Sequence, residues 1–140
     1  MRETVIAFEA RTSRPFADTV ARCREELARE GFGVLTEIDI QAKLKEKLGV
    51  ALEPYVILGA CHAPSAYRAL RAVPEVGVLL PCNVTVSREN DETVVRAMNP
   101  GLMEQMSNQE LRVVASEIGA ALRRVVEHAT GAVDFTPGGR

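Results

Sequence analysis

Polar and apolar positions alternate along residues 4–9. Thr4, Ile6 and Phe8 fall on one side, Val5, Ala7 and Glu9 on the other, and this period of two predicts a strand. Thr12, Ser13 and Pro15 then form a helix entrance. Phe16, Val20, Cys23 and Leu27 recur at helical spacing, while Asp18, Arg22, Glu25, Glu26 and Arg29 supply a wet face. Gly31 is a C-terminal stop. Residues 33–40 predict a second strand, running into a short amphipathic segment with Ile40, Leu44 and Leu48 that ends at Gly49. Residues 53–61 are apolar on both sides, with Tyr55, Ile57 and Cys61 against Val56, Leu58 and Ala60, which predicts a third strand in a central position.

Pro64 starts the next helix, with Ala66, Tyr67 and Leu70 inside and Arg68 and Arg71 outside. A turn at residues 74–77 leads to a fourth strand over residues 78–87. Pro81 has no N–H for a ladder bond, so this strand is expected at an edge or with a bulge. A polar turn at residues 88–91 returns the chain as a fifth strand over residues 92–98, antiparallel to the fourth. Asn99, Pro100 and Gly101 break the pattern, and Ser107 with Glu110 reads as a capping box. Leu111, Val114, Ala115, Ile118, Leu122, Val125 and Val126 then mark the clearest helix of the chain, ended by Gly131. The order predicts an α+β fold, a two-layer sandwich with a mostly antiparallel or mixed five-stranded sheet covered by helices. Residues 1–130 read as a single compact α+β domain and residues 131–140 as a flexible C-terminal tail.

Composition narrows the function classes. The 17 Lys plus Arg face 19 Asp plus Glu, a formal net charge of −2, and no long basic run marks a nucleic-acid track or an anionic membrane site. Lys43, Lys45 and Lys47 crowd the short second helix and read as its solvated flank. There is neither a Gly-x-Gly-x-x-Gly turn nor a phosphate-binding loop, and no cofactor is expected. The opening MRETVIAFEA lacks the pattern of a signal peptide, and no apolar run reaches bilayer length, so a cytoplasmic location is expected.

The candidate chemistry is sulfur-centred. Cys23 lies on an apolar stripe and reads as a small buried hydrophobe. Cys61 sits where the third strand hands over to a helix, and N–H groups at a helix start favour a thiolate. His62 adds a hydrogen-bonding group or base. The connecting helix can bring Cys82 beside Cys61, either as a second thiol or as a disulfide partner. Cys61, His62 and Cys82 are suitable metal ligands by type, but without a Cys-x-x-Cys pair no metal is assigned. Asn83 falls on the face opposite Cys82 unless a bulge re-aims it, and joins the candidate ligand-binding residues Cys61, His62 and Cys82. His128 reads as solvent-facing beside a helix C-terminus, and Tyr55 and Tyr67 as core-boundary residues. Met98, Met103 and Met106 pack beneath the final helix, or line an adaptable pocket or a dimer surface.

Leu58-Gly59-Ala60-Cys61-His62-Ala63-Pro64, followed by Ala66, Ala69 and Leu70, resembles the first block of the family catalogued as domain of unknown function 302. Leu80-Pro81-Cys82-Asn83-Val84 resembles its second block, and Asn99-Pro100 the segment after the last strand, where Asp-Pro is familiar. The resemblance spans residues 5–126 and implies a compact α+β domain that assembles as a homodimer, with no established activity. Where this chain has His62 the family more often has Asn, so the resemblance carries Cys61 and Cys82 as site positions rather than His62.

Three functional readings follow. The first is a small homodimeric domain that binds a small ligand or acts as an accessory protein, with its site around Cys61 and Cys82. The second is a cysteine-dependent thiol or sulfur-transfer enzyme, with Cys61 as nucleophile, His62 assisting and Cys82 resolving an intermediate. The third is a structural protein-interaction module in which the cysteines only pack. Neither nucleic acid nor membrane is expected as a partner.

Overall fold

In the computed structural model, alternate residues of the central strands point into one apolar layer. Phe8 and Ala10, Val56, Leu58 and Ala60, Cys82, Val84 and Val86, and Val95 and Ala97 are all buried there. The structure describes residues 1–132 and the backbone of residues 136–137. Its elements are β1 (Arg2–Glu3), β2 (Ala7–Thr12), α1 (Phe16–Arg29), β3 (Gly33–Asp39), α2 (Ile40–Leu48), β4 (Tyr55–Cys61), α3 (Ala63–Ala72), β5 (Cys82–Glu89), β6 (Glu92–Met98), α4 (Gln109–Thr130) and β7 (Thr136–Pro137). Two 3-10 turns, Pro74–Leu79 and Pro100–Met106, lie between α3 and β5 and between β6 and α4.

The strands form one sheet in the order β3-β4-β5-β6-β2-β1-β7. Six strands pair antiparallel throughout, and β7 adds to β1 in parallel. Helices pack on the apolar face, which makes this the expected α+β sandwich. The sheet is wider than the five strands expected, because two-residue strands are too short to leave a periodic signal in the sequence. Of the tail expected to be flexible, residues 131–140, the backbone of Thr136–Pro137 pairs with β1, and residues 133–135 and 138–140 lie outside the described residues.

α4 is the main lid on the core. Leu111, Val114, Ile118, Leu122, Val125 and Val126 are all buried along it at three- and four-residue spacing, as their sequence pattern requires. Its cap differs from the expected one. Asn108 accepts the N–H of Leu111 at 3.1 Å, whereas Ser107 is in the left-handed region at the end of the preceding 3-10 turn. No helix among the described residues is long and apolar enough to cross a membrane.

Two strand boundaries differ from their sequence reading. The first long strand is Ala7–Thr12 rather than residues 4–9, because Thr4 closes a turn. Its N–H donates to the carbonyl of Ala7 at 2.7 Å, and its hydroxyl accepts the N–H of Ala7 at 2.9 Å. Val5 and Ile6 are left 74% and 65% exposed at the tip of that turn. The fourth long strand starts at Cys82, since residues 74–79 coil into a 3-10 turn and the ladder begins only after Pro81. β5 is neither an edge strand nor bulged by its proline, and it pairs with β4 on one side and β6 on the other. The β5–β6 hairpin turns through Asn90 and Asp91, both at positive φ, the geometry that matches the twist of a two-residue hairpin.

The sheet face away from the core carries charges instead. Arg96 donates to Glu9 at 3.1 Å and to Glu89 at 2.7 Å, and the Ser87 hydroxyl donates to Glu89 at 2.7 Å. The Arg96 hydrogen bond, helped by Ser87 and the charge of Arg11, holds the Glu89 carboxyl at about 2, well below its ordinary 4.5. A carboxyl lowered in the folded state stabilises the fold above its ordinary value and loses that contribution as pH falls through the lowered one. Stability measured by urea unfolding should therefore decline between pH 4.5 and about 2, and Glu89→Gln should flatten the curve over that window. Parallel curves for the two proteins would remove Glu89 from the acid response.

Candidate functional site

Cys61 and Cys82 reach one place because of strand register. β4 and β5 run antiparallel with Ala60 opposite Cys82, which puts Cys61 one residue further along, at the strand end. Pro64, in the first turn of α3, favours a helix start just after Cys61, and His62 takes the capping position with extended backbone. The cleft at this corner is lined by Cys61, His62, Ser65, Leu80, Cys82 and Met103, and backed by Val114 and Ile118 of α4. It is narrow, with a volume of about 20 Å³. That is room for one water molecule rather than for a ligand of drug size.

His62 is held from several sides. Its Nδ1 lies 2.8 Å from the hydroxyl of Ser65, three residues along on α3 and itself buried. Its ring meets Phe32 edge to face, with centroids 5.4 Å apart. Gly31 turns the chain at φ +85 after α1, and a Cβ there would lie 3.2 Å from the imidazole. The glycine thus serves both the turn and the close approach of the ring.

The thiols differ in their surroundings. All three cysteines are free; Cys23 and Cys82 are buried, and Cys61 is half-buried. Burial pushes the Cys82 thiol up to about 11, with the neighbouring Cys61 adding to the shift. Cys23 rises to about 12, chiefly by burial and then through the charge of Glu26. Both are therefore neutral thiols at physiological pH. Cys23 packs within the core cluster, as its place on the apolar stripe indicates.

Among the residues the sequence singles out, the structure brings Cys61, His62 and Cys82 together. Asn83 stands apart: it is exposed, pairs opposite Gly59 on the other face of the sheet, and does not line the cleft. Met103 lines the cleft, one of the pocket positions its methionine pattern allowed, whereas Ser65 is a cleft residue that the sequence pattern did not single out. The signal for Ser65 was its three-residue spacing from His62 at a helix start. Of the methionines, Met103 is fully buried, while Met98 and Met106 pack half-buried against the core. His128 is exposed, with Nδ1 3.4 Å from Glu26, away from the cleft. No group of three or more His, Cys, Asp or Glu side chains is placed to hold a metal ion among the described residues.

A model of the family described as "Domain of unknown function DUF302" matches residues 8–129. The chain is also similar to a solved protein, "Crystal structure of uncharacterized conserved protein DUF302 from Bacillus stearothermophilus". The two are 31% identical, with 90% of this chain and 99% of that one covered and a TM-score of 0.83. No curated protein matches the chain.

Proposed function

The chain belongs to the DUF302 family, and from that premise we propose that it is a small homodimeric binding domain whose ligand enters the cleft beside Cys61. One observation carries this reading. Cys61, His62, Ser65 and Cys82 converge on a single cleft whose other walls, Leu80, Met103 and Ile118, are apolar. A few polar groups set in an apolar wall are what a small-molecule site needs to orient its ligand. The Cys61 thiol and the His62–Ser65 pair are the polar contacts, and the ligand is small and largely apolar. Met103 can yield to it, since an unbranched thioether side chain repacks at low cost. Association into a homodimer belongs to the same reading. It is supported by the aliphatic surface that one chain leaves exposed, with Leu35 at 65%, Leu48 at 69% and Val78 at 85%.

Titration of isotope-labelled protein with a panel of small aliphatic fragments, followed by nuclear magnetic resonance, tests the site. The expected result is saturable shifts confined to residues 60–66, 80–82 and 103. Saturable shifts clustered elsewhere, or none across the panel, would overturn it.

A second reading, thiol or sulfur-transfer chemistry at Cys61, is favoured by the placement of Cys61 and Cys82 in the same cleft. Against it stands the burial that keeps Cys82 protonated and so slow as a resolving thiol.

A further inference from the structure

One part of the chain forms regular structure while burying almost nothing. β3 is the edge strand of the sheet, paired only with β4. α2 follows it, capped by Asp39, whose side chain accepts the N–H of Ala42 at 2.9 Å, and ended by Gly49 at φ +68. None of its nine residues is buried. A helix that short is marginal in water unless an apolar stripe is covered. Around it, Leu35 is 65% exposed, Ile38 41%, Leu48 69%, Val50 44% and Leu52 40%. These are five of the eleven exposed large hydrophobic side chains among the described residues, and all lie within residues 35–52. Between α2 and the segment that follows it runs a groove of about 410 Å³, lined by Gln41, Ala42, Lys45, Gly49, Val50 and Leu52.

We infer that this arm, residues 33–54, is the surface on which two copies of the chain associate, each copy's groove receiving aliphatic side chains from the other's arm. The inference rests on the homodimer proposed above and assigns its surface. Three observations select a second copy as the occupant. The first is area. Leu35, Ile38, Leu48, Val50 and Leu52 leave 40–69% of their surface uncovered on one arm, and a stable interface takes roughly 800 Å² from each partner around an apolar centre. The second is charge. The arm carries Lys43, Lys45 and Lys47 against Glu37, Asp39, Glu46 and Glu53, and Glu37 is already paired with Arg24. Such a near-neutral surface of mixed sign does not seek anionic lipid or nucleic acid, and it can meet its own copy without a large net repulsion. The third is exclusion. α4 and Met103 are already spent on the chain's own core. The edge backbone of β3 is disrupted by a bulge between Val34 and Thr36, the kind of device that blunts strand addition. Packing of side chains from α2 and the segment after it remains.

Sedimentation equilibrium of the full chain gives the dissociation constant of the native protein and of Leu48→Glu/Val50→Glu. Both positions are exposed, so the fold should persist, as circular dichroism and thermal melting can verify. The expected result is a native dimer, weakened at least roughly thirtyfold by the arm variant, while Tyr67→Ala, on a separate exposed patch, dimerises as the native chain does. A native dimer undisturbed by the arm variant would overturn the assigned surface and leave the homodimer standing. A chain that stays monomeric at roughly 0.1 mM, where any dimer holds less than about 6 kcal/mol, would remove both. Hydrogen exchange of the native protein supplies a test without mutation: residues 40–48 should gain protection as concentration rises, and concentration-independent exchange in a chain that does dimerise would sink the assignment.

Discussion

Gly59→Ala should lower stability by about 2 kcal/mol and the melting temperature by roughly 7 °C, although alanine is the better strand residue by about 0.5–1 kcal/mol. The reason is the neighbour on each side. Gly59 pairs with Thr36 of β3 and with Asn83 of β5. A Cβ at this position would collide with the Thr36 hydroxyl and sit 3.1 Å from Cγ of Pro81. Thr36 can swing its hydroxyl aside only at the cost of its β-branched rotamer, and the proline ring is stiff. Thr36→Ala removes one obstacle, since the Thr36 Cβ itself would lie at a comfortable 3.7 Å. The double variant should recover about 1 kcal/mol relative to the sum of the single changes. Additive effects in thermal and urea unfolding would show that the two residues do not meet. Because Gly59 lies in β4 only two residues before Cys61, a shift of Pro81 or Thr36 should also disturb labelling at the cleft.

Alkylation of native protein at pH 8 should fall on Cys61 first, with Cys82 and Cys23 slower by at least roughly a hundredfold. A thiol at about 11 holds on the order of one thiolate in a thousand at that pH, and one at about 12 on the order of one in ten thousand. Burial adds a second barrier for both, whereas Cys61 is half-buried at the rim of the cleft. Digestion and mass spectrometry locate the label, and in denaturant the three rates should converge. Cys82 reacting as fast as Cys61 in the native protein would mean that the cleft opens to water. That outcome would turn attention to the thiol-transfer reading, because a resolving cysteine must be reached. Slow reaction at all three would leave the non-covalent site as the better account of the corner.

Much of the architecture could be read from spacing. The stripe on α4 is buried at each position that its period selects, and the doubly apolar run of β4 does lie between two strands. Cys23 could be placed in the core because helical phase alone put it beside Val20 and Leu27. The failures share a cause. Residues 4–6 alternate as a strand would, but one threonine side chain closes a turn there. Residues 78–81 carry apolar residues fit for a strand, yet the chain coils until it has passed Pro81. Ser107 and Glu110 have the spacing of a capping box, but Asn108 is the residue that meets the first free N–H. In each case a local hydrogen bond or backbone preference worth about 1 kcal/mol decided a boundary on which the apolar pattern was neutral.

The sequence by itself determined which faces are apolar, how the helices and most strands alternate, and that two cysteines sit next to structure-breaking residues. These are properties of neighbours in the chain, set by side-chain period and by the backbone limits of glycine and proline. Only the tertiary structure decided that Ala60 lies opposite Cys82 and so brings Cys61 to the same cleft, that the Asn83 side of β5 faces away from it, and that Thr36 and Pro81 close over Gly59. It also decided that the stripe on α4 is covered within one chain, whereas the arm around α2 is left bare. An amphipathic segment has the same pattern whether its own chain or another covers it, because periodicity records that a face must be buried and not against what.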